Sequence, residues 1–183
     1  MILSMDDLLG RRVLIYGEVG VGKTRLLAEL VTAVVHAGYG GEITIIDMAP
    51  HKIMGAGGTL TEYISVVGLR YFSPEYVYAP RLQACNADDV RRYVELNVRK
   101  LEELLKAYNS IPSRILVIND LSIYLQGRSA EELFYFIEKA WTFLGTSYYG
   151  SRLDEDYGSG VSKWERMQVE KLIQWVDRAV MLA

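Results

Sequence analysis

Eight consecutive residues, Gly17-Glu18-Val19-Gly20-Val21-Gly22-Lys23-Thr24, fit the pattern G-x-x-x-x-G-K-[ST] without a mismatch. Their flanks decide what the match means. Arg12-Val13-Leu14-Ile15-Tyr16 before them is short, apolar and rich in β-branched residues, which is a strand signal. The run from Arg25 to Val35 after them has the length and composition of a helix. Glycines let such a turn close tightly and aim successive backbone N–H groups inward at phosphate oxygens. The helix that follows adds the positive end of its dipole. The pattern therefore assigns Gly17, Glu18, Val19, Gly20, Val21, Gly22, Lys23 and Thr24 to a nucleotide-phosphate loop, with Arg25 directly after it as a further candidate nucleotide contact. Within it Lys23 is expected on the β- and γ-phosphates, and the Thr24 hydroxyl on the Mg2+ that accompanies them.

The chain has 183 residues, half of them hydrophobic, enough for one sizeable core, so a single domain over residues 1–183 is expected. No apolar run reaches the length of a membrane span. The opening MILSMDDLLGRR lacks the basic start and long apolar stretch of a secretory signal. A cytoplasmic protein without membrane contact is the expectation. The net charge of −3, with no long basic run, argues against a surface that coats nucleic acid generally. Cys85 is the only cysteine; it has no intramolecular partner and no metal-ligand spacing around it, and reads as a small buried or loop residue. His36 and His51 show no partner pattern.

Strand and helix signals alternate along the chain, the pattern of a mostly parallel sheet covered on both faces, an α/β three-layer sandwich. After the turn cluster Gly38-Tyr39-Gly40-Gly41, the run Glu42-Ile43-Thr44-Ile45-Ile46-Asp47 reads as a buried strand ending in an acid. A glycine-rich loop is expected from Met48 to Gly58, then a short helix opened by Thr59 and Glu62. The tyrosine-rich stretch from Leu69 to Leu82 reads as strand and loop packing, because no Lys or Arg is interleaved among its aromatics between Tyr71 and Tyr78, as base stacking would want. Asn86 precedes a long amphipathic helix. Then Arg114-Ile115-Leu116-Val117-Ile118-Asn119-Asp120 reads as a strand buried on both faces. Asp120 falls at its carboxyl end, on the rim where open α/β sheets bind ligands. That makes Asp120 a candidate Mg2+ ligand beside Thr24.

GEVGVGKT, ILVIND and the order of elements between them resemble the additional-strand phosphate-loop ATPases, within them the RecA-like and KaiC-like core domain. The resemblance implies a P-loop NTPase fold of RecA-like type, ATP and Mg2+ as ligands, and a hydrolase activity. Many members of the wider class carry a Glu directly after the strand aspartate to orient the attacking water, whereas here Leu121 and Ser122 follow Asp120. RecA-like members tend to carry that acid at the end of the strand after the loop helix, and Asp47 matches that position as the implied water-positioning group. Lys23, Asp47 and Asp120 thus form the implied catalytic set. The family also implies a polar γ-phosphate sensor at the end of a further strand, filled by Thr146 or Ser147 if the stretch from Trp141 to Tyr149 is a strand rather than a continued helix. The Asp47-Met48-Ala49-Pro50 segment resembles a motif of MinD- and ArsA-like ATPases, but Glu18 stands where those carry a lysine.

In the last third, Ser129 and Glu132 read as one capping box and Ser162 and Glu165 as another. Between them residues 150–160 form the most polar, glycine-rich stretch, expected as a mobile surface loop. The loop 150–162 is the candidate contact for a protein or nucleic-acid partner, with a homo-oligomer a further candidate. Arg152, Lys163 and Arg166 are candidates for a cationic finger toward the γ-phosphate. An ATPase, a regulatory ATP-binding module and, less favoured, a small-molecule kinase remain open at this stage; without an Asn-Lys-x-Asp guanine motif, the base tilts to adenine.

Overall fold

Strands that are apolar on both faces require cover on both faces, and that requirement organises the chain. The computed structural model describes residues 4–52 and 57–183. The first three residues, and the centre of the loop expected over residues 48–58, lie outside the described residues. Six strands, β1 (Arg12–Gly17), β2 (Ile43–Asp47), β3 (Arg70–Phe72), β4 (Ile115–Asn119), β5 (Thr142–Tyr148) and β6 (Arg178–Leu182), form one sheet in the order β3-β2-β4-β5-β1-β6. Every pairing is parallel. The helices are α1 (Met5–Leu8), α2 (Lys23–Val34), α3 (Pro80–Gln83), α4 (Ala87–Ser110), α5 (Ser122–Leu125), α6 (Ala130–Ile137) and α7 (Val161–Trp175).

Side-chain alternation along the strands sends apolar residues into two cores. Val13 and Ile15 of β1 and Ile115 and Val117 of β4 pack with Leu27, Val31 and Val34 of α2 on one face. Leu14, Leu116, Ile118 and Phe143 pack with Val94, Val98 and Leu101 of α4, Leu133 of α6 and Val169 of α7 on the other. The stretch from Trp141 to Tyr149 resolves as β5, all seven residues of which are buried. Because β5 lies between β1 and β4, the loop strand and the strand leading to Asp120 are not neighbours, and their carboxyl ends open a crevice across the end of β5.

The capping boxes at Thr59–Glu62 and Ser129–Glu132 are present, each Glu accepting from the cap residue's N–H at 3.0 and 3.2 Å. The box expected at Ser162 and Glu165 is not. α7 starts two residues earlier than that box would place it, at Val161, after Gly160 in left-handed backbone. Asp156 and Ser159 take its first N–H groups, those of Ser162 (2.9 Å) and Val161 (3.3 Å). Glu165 instead turns inward and is buried. Cys85 is an exposed loop residue. No helix among the described residues is long and apolar enough to cross a membrane.

Gly17 closes β1 at φ +146°, and a Cβ there would lie 2.1 Å from the Leu182 carbonyl oxygen on β6. Gly17→Ala therefore forces backbone against backbone, and a loss of about 3 kcal/mol is expected. A lower denaturant midpoint with faster amide exchange in β6 would show it; an unchanged midpoint would contradict this account of the β1–β6 contact.

Candidate functional site

The loop between β1 and α2 needs glycine for its backbone angles. Gly20 and Gly22 sit at φ +79° and +92°, left-handed backbone that L side chains avoid, while the space where a Cβ would project is open to 4 Å. Gly22 is the residue before the first turn of α2, so the concave side of the loop faces the positive end of a twelve-residue helix. Lys23 folds back across the loop, its Nζ donating to the carbonyls of Gly17 (3.0 Å) and Glu18 (2.6 Å). Burial pushes its ammonium pKa down, and the charges of Asp120 and Glu18 offset this only in part.

At the rim of the sheet the residue reached by the Thr24 hydroxyl is Asn119. The buried Asn119 Oδ1 accepts from Thr24 Oγ1 (3.3 Å) and Thr146 Oγ1 (2.9 Å), and its Nδ2 donates to Asp47 Oδ1 (2.9 Å) and the Gly58 carbonyl (3.1 Å). Asp120 follows in left-handed backbone, φ +60°. Its N–H is held by Thr146 Oγ1 at 2.8 Å and its carboxylate accepts from the Ser122 hydroxyl. Burial pushes the Asp120 carboxyl up, and the Ser122 hydroxyl and the charges of Lys23 and Arg81 act against that.

One cleft joins Gly20, Lys23, Thr24, Arg81, Asp120 and Thr146. Ser147, the other sensor candidate, does not line it; its hydroxyl donates to the Tyr148 carbonyl at 3.2 Å, as a neighbour on a strand facing the opposite way must. Asp47 does not line the cleft either. It is fully buried, and its two oxygens accept from the Ala49 and Leu60 N–H groups, Asn119 Nδ2 and the Tyr71 hydroxyl. Burial pushes its carboxyl up more than these four donors hold it down.

Glu18 points away from the loop's concave face. Its Oε1 accepts from the Val19 N–H (2.8 Å), and its Oε2 from the N–H groups of Ser151 (2.8 Å) and Arg152 (3.2 Å). Partial burial pushes its carboxyl up, but the donors Ser151, Val19, Arg152 and Tyr148 outweigh it and hold the group below its ordinary value. A Cβ at Gly150 would lie 2.2 Å from the Glu18 carboxylate, so a larger residue there would displace that side chain. The 150–160 stretch is thus a surface loop tied to the phosphate loop at one end and to α7 at the other. Arg152, Lys163 and Arg166 do not line the cleft; the Arg166 guanidinium lies over the Tyr149 ring, 4.4 Å from its centroid.

Arg81 and Gln126 line the cleft without any signal in the sequence. Arg81, on α3, pairs with Glu165, 84 residues further on, through Nη2 at 3.1 Å to each carboxylate oxygen. Gln126 donates Nε2 to the same carboxylate at 2.8 Å. No local pattern marks either residue, since their partner arrives only when α7 packs.

The donors fit a polyphosphate carrying a hard cation. The open glycine nest and Lys23 suit phosphate oxygens, and Thr24 and Asp120 supply oxygen ligands of the kind Mg2+ takes. Among the described residues no cluster of three His, Cys, Asp or Glu side chains is placed to hold a metal.

A solved structure of the flagellar accessory protein FlaH from Methanocaldococcus jannaschii superposes with a TM-score of 0.50 over 88% of this chain and 69% of that one, at 12% identity. The chain has the RecA-like P-loop NTPase fold. More distant are the replication initiator DnaA bound to AMPPCP and single-stranded DNA (TM-score 0.41, 16% identity, 97% of this chain and 42% of that one) and the Pif1 helicase from Candida albicans (0.40, 9%, 94% and 36%). No family model matches the sequence, and no curated protein does.

The Glu18 latch is testable without ligand. Glu18→Ala removes the acceptor for the Ser151 and Arg152 N–H groups, at about 1 kcal/mol after solvent screening. Amide exchange at those two positions should rise about fivefold, with the slow exchange of β4 unchanged; equal rates in both proteins would show that the latch does not hold the loop.

Proposed function

We propose that the protein binds ATP with Mg2+ at the loop of residues 17–24 and hydrolyses it, the turnover being coupled to a partner or to assembly of its own copies. The observation that carries this is the loop itself: left-handed glycines, an open nest, a helix N-terminus and Lys23 in one place. The cleft's charge agrees. Lys23, Arg25, Lys52 and Arg81 line it, and Asp120 is the only carboxylate among the described lining residues, a balance that draws a polyanion.

In this reading the N–H groups of residues 20–24 hold the phosphate chain, and Lys23 leaves the Gly17 and Glu18 carbonyls for phosphate oxygens. Thr24 and Asp120 hold the Mg2+, which neutralises developing charge on the phosphates when bound. Thr146 holds the Asp120 backbone and with it the carboxylate's aim; Ser147 lies behind it on β5. Asp47 acts at one remove, holding Asn119 and the Ala49 and Leu60 ends of the loop that carries Gly58 toward the cleft. Asp47→Asn then lowers the melting temperature more than it lowers turnover per folded molecule. A variant that folds as well as wild type but does not turn over would restore Asp47 to the water-positioning role. The loop 150–162 is the proposed partner contact, because Glu18 ties it to the phosphate loop.

A second reading has a specific observation in its favour. Both oxygens of Asp47 are engaged and no Glu follows Asp120, so a nucleotide-holding switch with very slow turnover fits the same geometry. Phosphate release and nucleotide binding, measured for wild type and Lys23→Ala, separate the two. Lys23→Ala weakens binding at least about tenfold, from loss of hydrogen bonds to a charged group. Turnover abolished by that change supports the ATPase, tight binding without turnover supports the switch, and no nucleotide binding by wild type overturns both.

A further inference from the structure

The Arg81–Glu165 pair is the most buried ion pair among the described residues. Its side chains are 6% and 3% exposed, whereas every other pair has at least one partner more than a quarter exposed. Such a pair stabilises a fold poorly, because desolvation consumes most of the Coulomb gain. As a staple between α3 and α7 it does little that apolar residues would not do better. Its position is informative. Arg81 lines the same cleft as Lys23, Thr24 and Asp120, and its guanidinium also reaches Ser162 Oγ (3.4 Å) and lies 5.1 Å from the Tyr148 ring centroid. Gln126 lines that cleft as well and donates its Nε2 to the Glu165 carboxylate.

Two cations, the half-buried Lys23 from the loop and Arg81 from α3, act on the one carboxylate among the described cleft residues, Asp120. An extended anion anchored in the loop would place its outermost charge in the field of both. Arginine suits that place, because Glu165 engages only Nη2 and the planar fork can turn two parallel N–H groups to an oxyanion, which lysine cannot.

Resting on the proposed ATP site, we infer that Arg81 is the in-chain cation that recognises the terminal phosphate, held by Glu165 until a triphosphate binds, and so sets discrimination between ATP and ADP. Arg81 then exchanges the Glu165 carboxylate for γ-phosphate oxygens, while ADP, lacking that group, leaves the pair closed. Glu165 keeps Gln126 as its donor when Arg81 leaves, and burial, which pushes its carboxyl up to about 7, lets it take a proton in place of the lost cation. Because Glu165 and Ser162 stand in the first turns of α7, the exchange also reaches the end of the 150–162 loop.

The test is calorimetric titration of wild type and Arg81→Gln/Glu165→Gln with Mg-ADP and with the β,γ-methylene analogue of Mg-ATP. The double substitution leaves no buried charge unpaired. The triphosphate is expected to weaken about tenfold in the variant while ADP changes by less than about twofold. If both ligands weaken equally, or neither does, Arg81 is only a staple and the nucleotide site stands without it. If wild type binds neither ligand, the nucleotide reading falls and the Arg81 assignment with it. Should the double variant not fold, Arg81→Lys carries the same comparison: a selective loss for the triphosphate supports the assignment, and an unchanged ratio overturns it.

Discussion

The Asn119 carboxamide holds the rim of this sheet together. It is fully buried, and each of its ends serves two partners: Thr24 and Thr146 donate to its oxygen, while Asp47 and Gly58 accept from its nitrogen. Asp47 Oδ1 and the Gly58 carbonyl accept only, so the amide has one orientation that satisfies all four. Through it the first turn of α2, the end of β5, the end of β2 and the loop before Thr59 share one fixed point. A buried amide with a missing partner is costly, and that cost is what keeps four separate segments in register at the mouth of the cleft.

Asp120 depends on that fixed point. Asn119 ends β4, Thr146 lies near the end of the neighbouring β5, and the Thr146 hydroxyl donates to the Asn119 side chain while accepting the Asp120 N–H. The chain then turns through left-handed backbone and delivers Asp120 into the cleft instead of along the strand. Asparagine, not an acid, therefore meets the Thr24 hydroxyl, and the carboxylate comes from one residue further on. Around it the cleft gathers cations on a chain whose net charge is −3, so the attraction for a polyanion is local and invisible in the overall balance.

Much of this was legible in the residues, and the exceptions have physical causes. The loop, β1, β2, β4 and the long helix α4 follow from a motif and from periodicity, both local. The stretch from Trp141 to Tyr149 suits helix or strand by composition, and only its insertion between β4 and β1 settles it. Ser162 and Glu165 have capping-box spacing, yet Asp156 and Ser159 cap α7, because Arg81 claims the glutamate from a different part of the chain. Asp47 ends a strand as expected, but Tyr71, Leu60 and Asn119 converge on it and occupy its oxygens. Arg81 and Gln126 carried no signal at all.

The sequence by itself determined the class of fold and the phosphate loop, because both rest on short-range chemistry: glycines at positions of positive φ, a lysine and a threonine at a helix start, and strands apolar on both faces. Tertiary structure alone decided which acid faces the cleft, which hydroxyl of β5 joins it, and which arginine stands across from Lys23. Those choices depend on strand order and on side chains meeting across tens of residues, where burial and hydrogen-bond saturation, rather than spacing along the chain, determine which group is free to act.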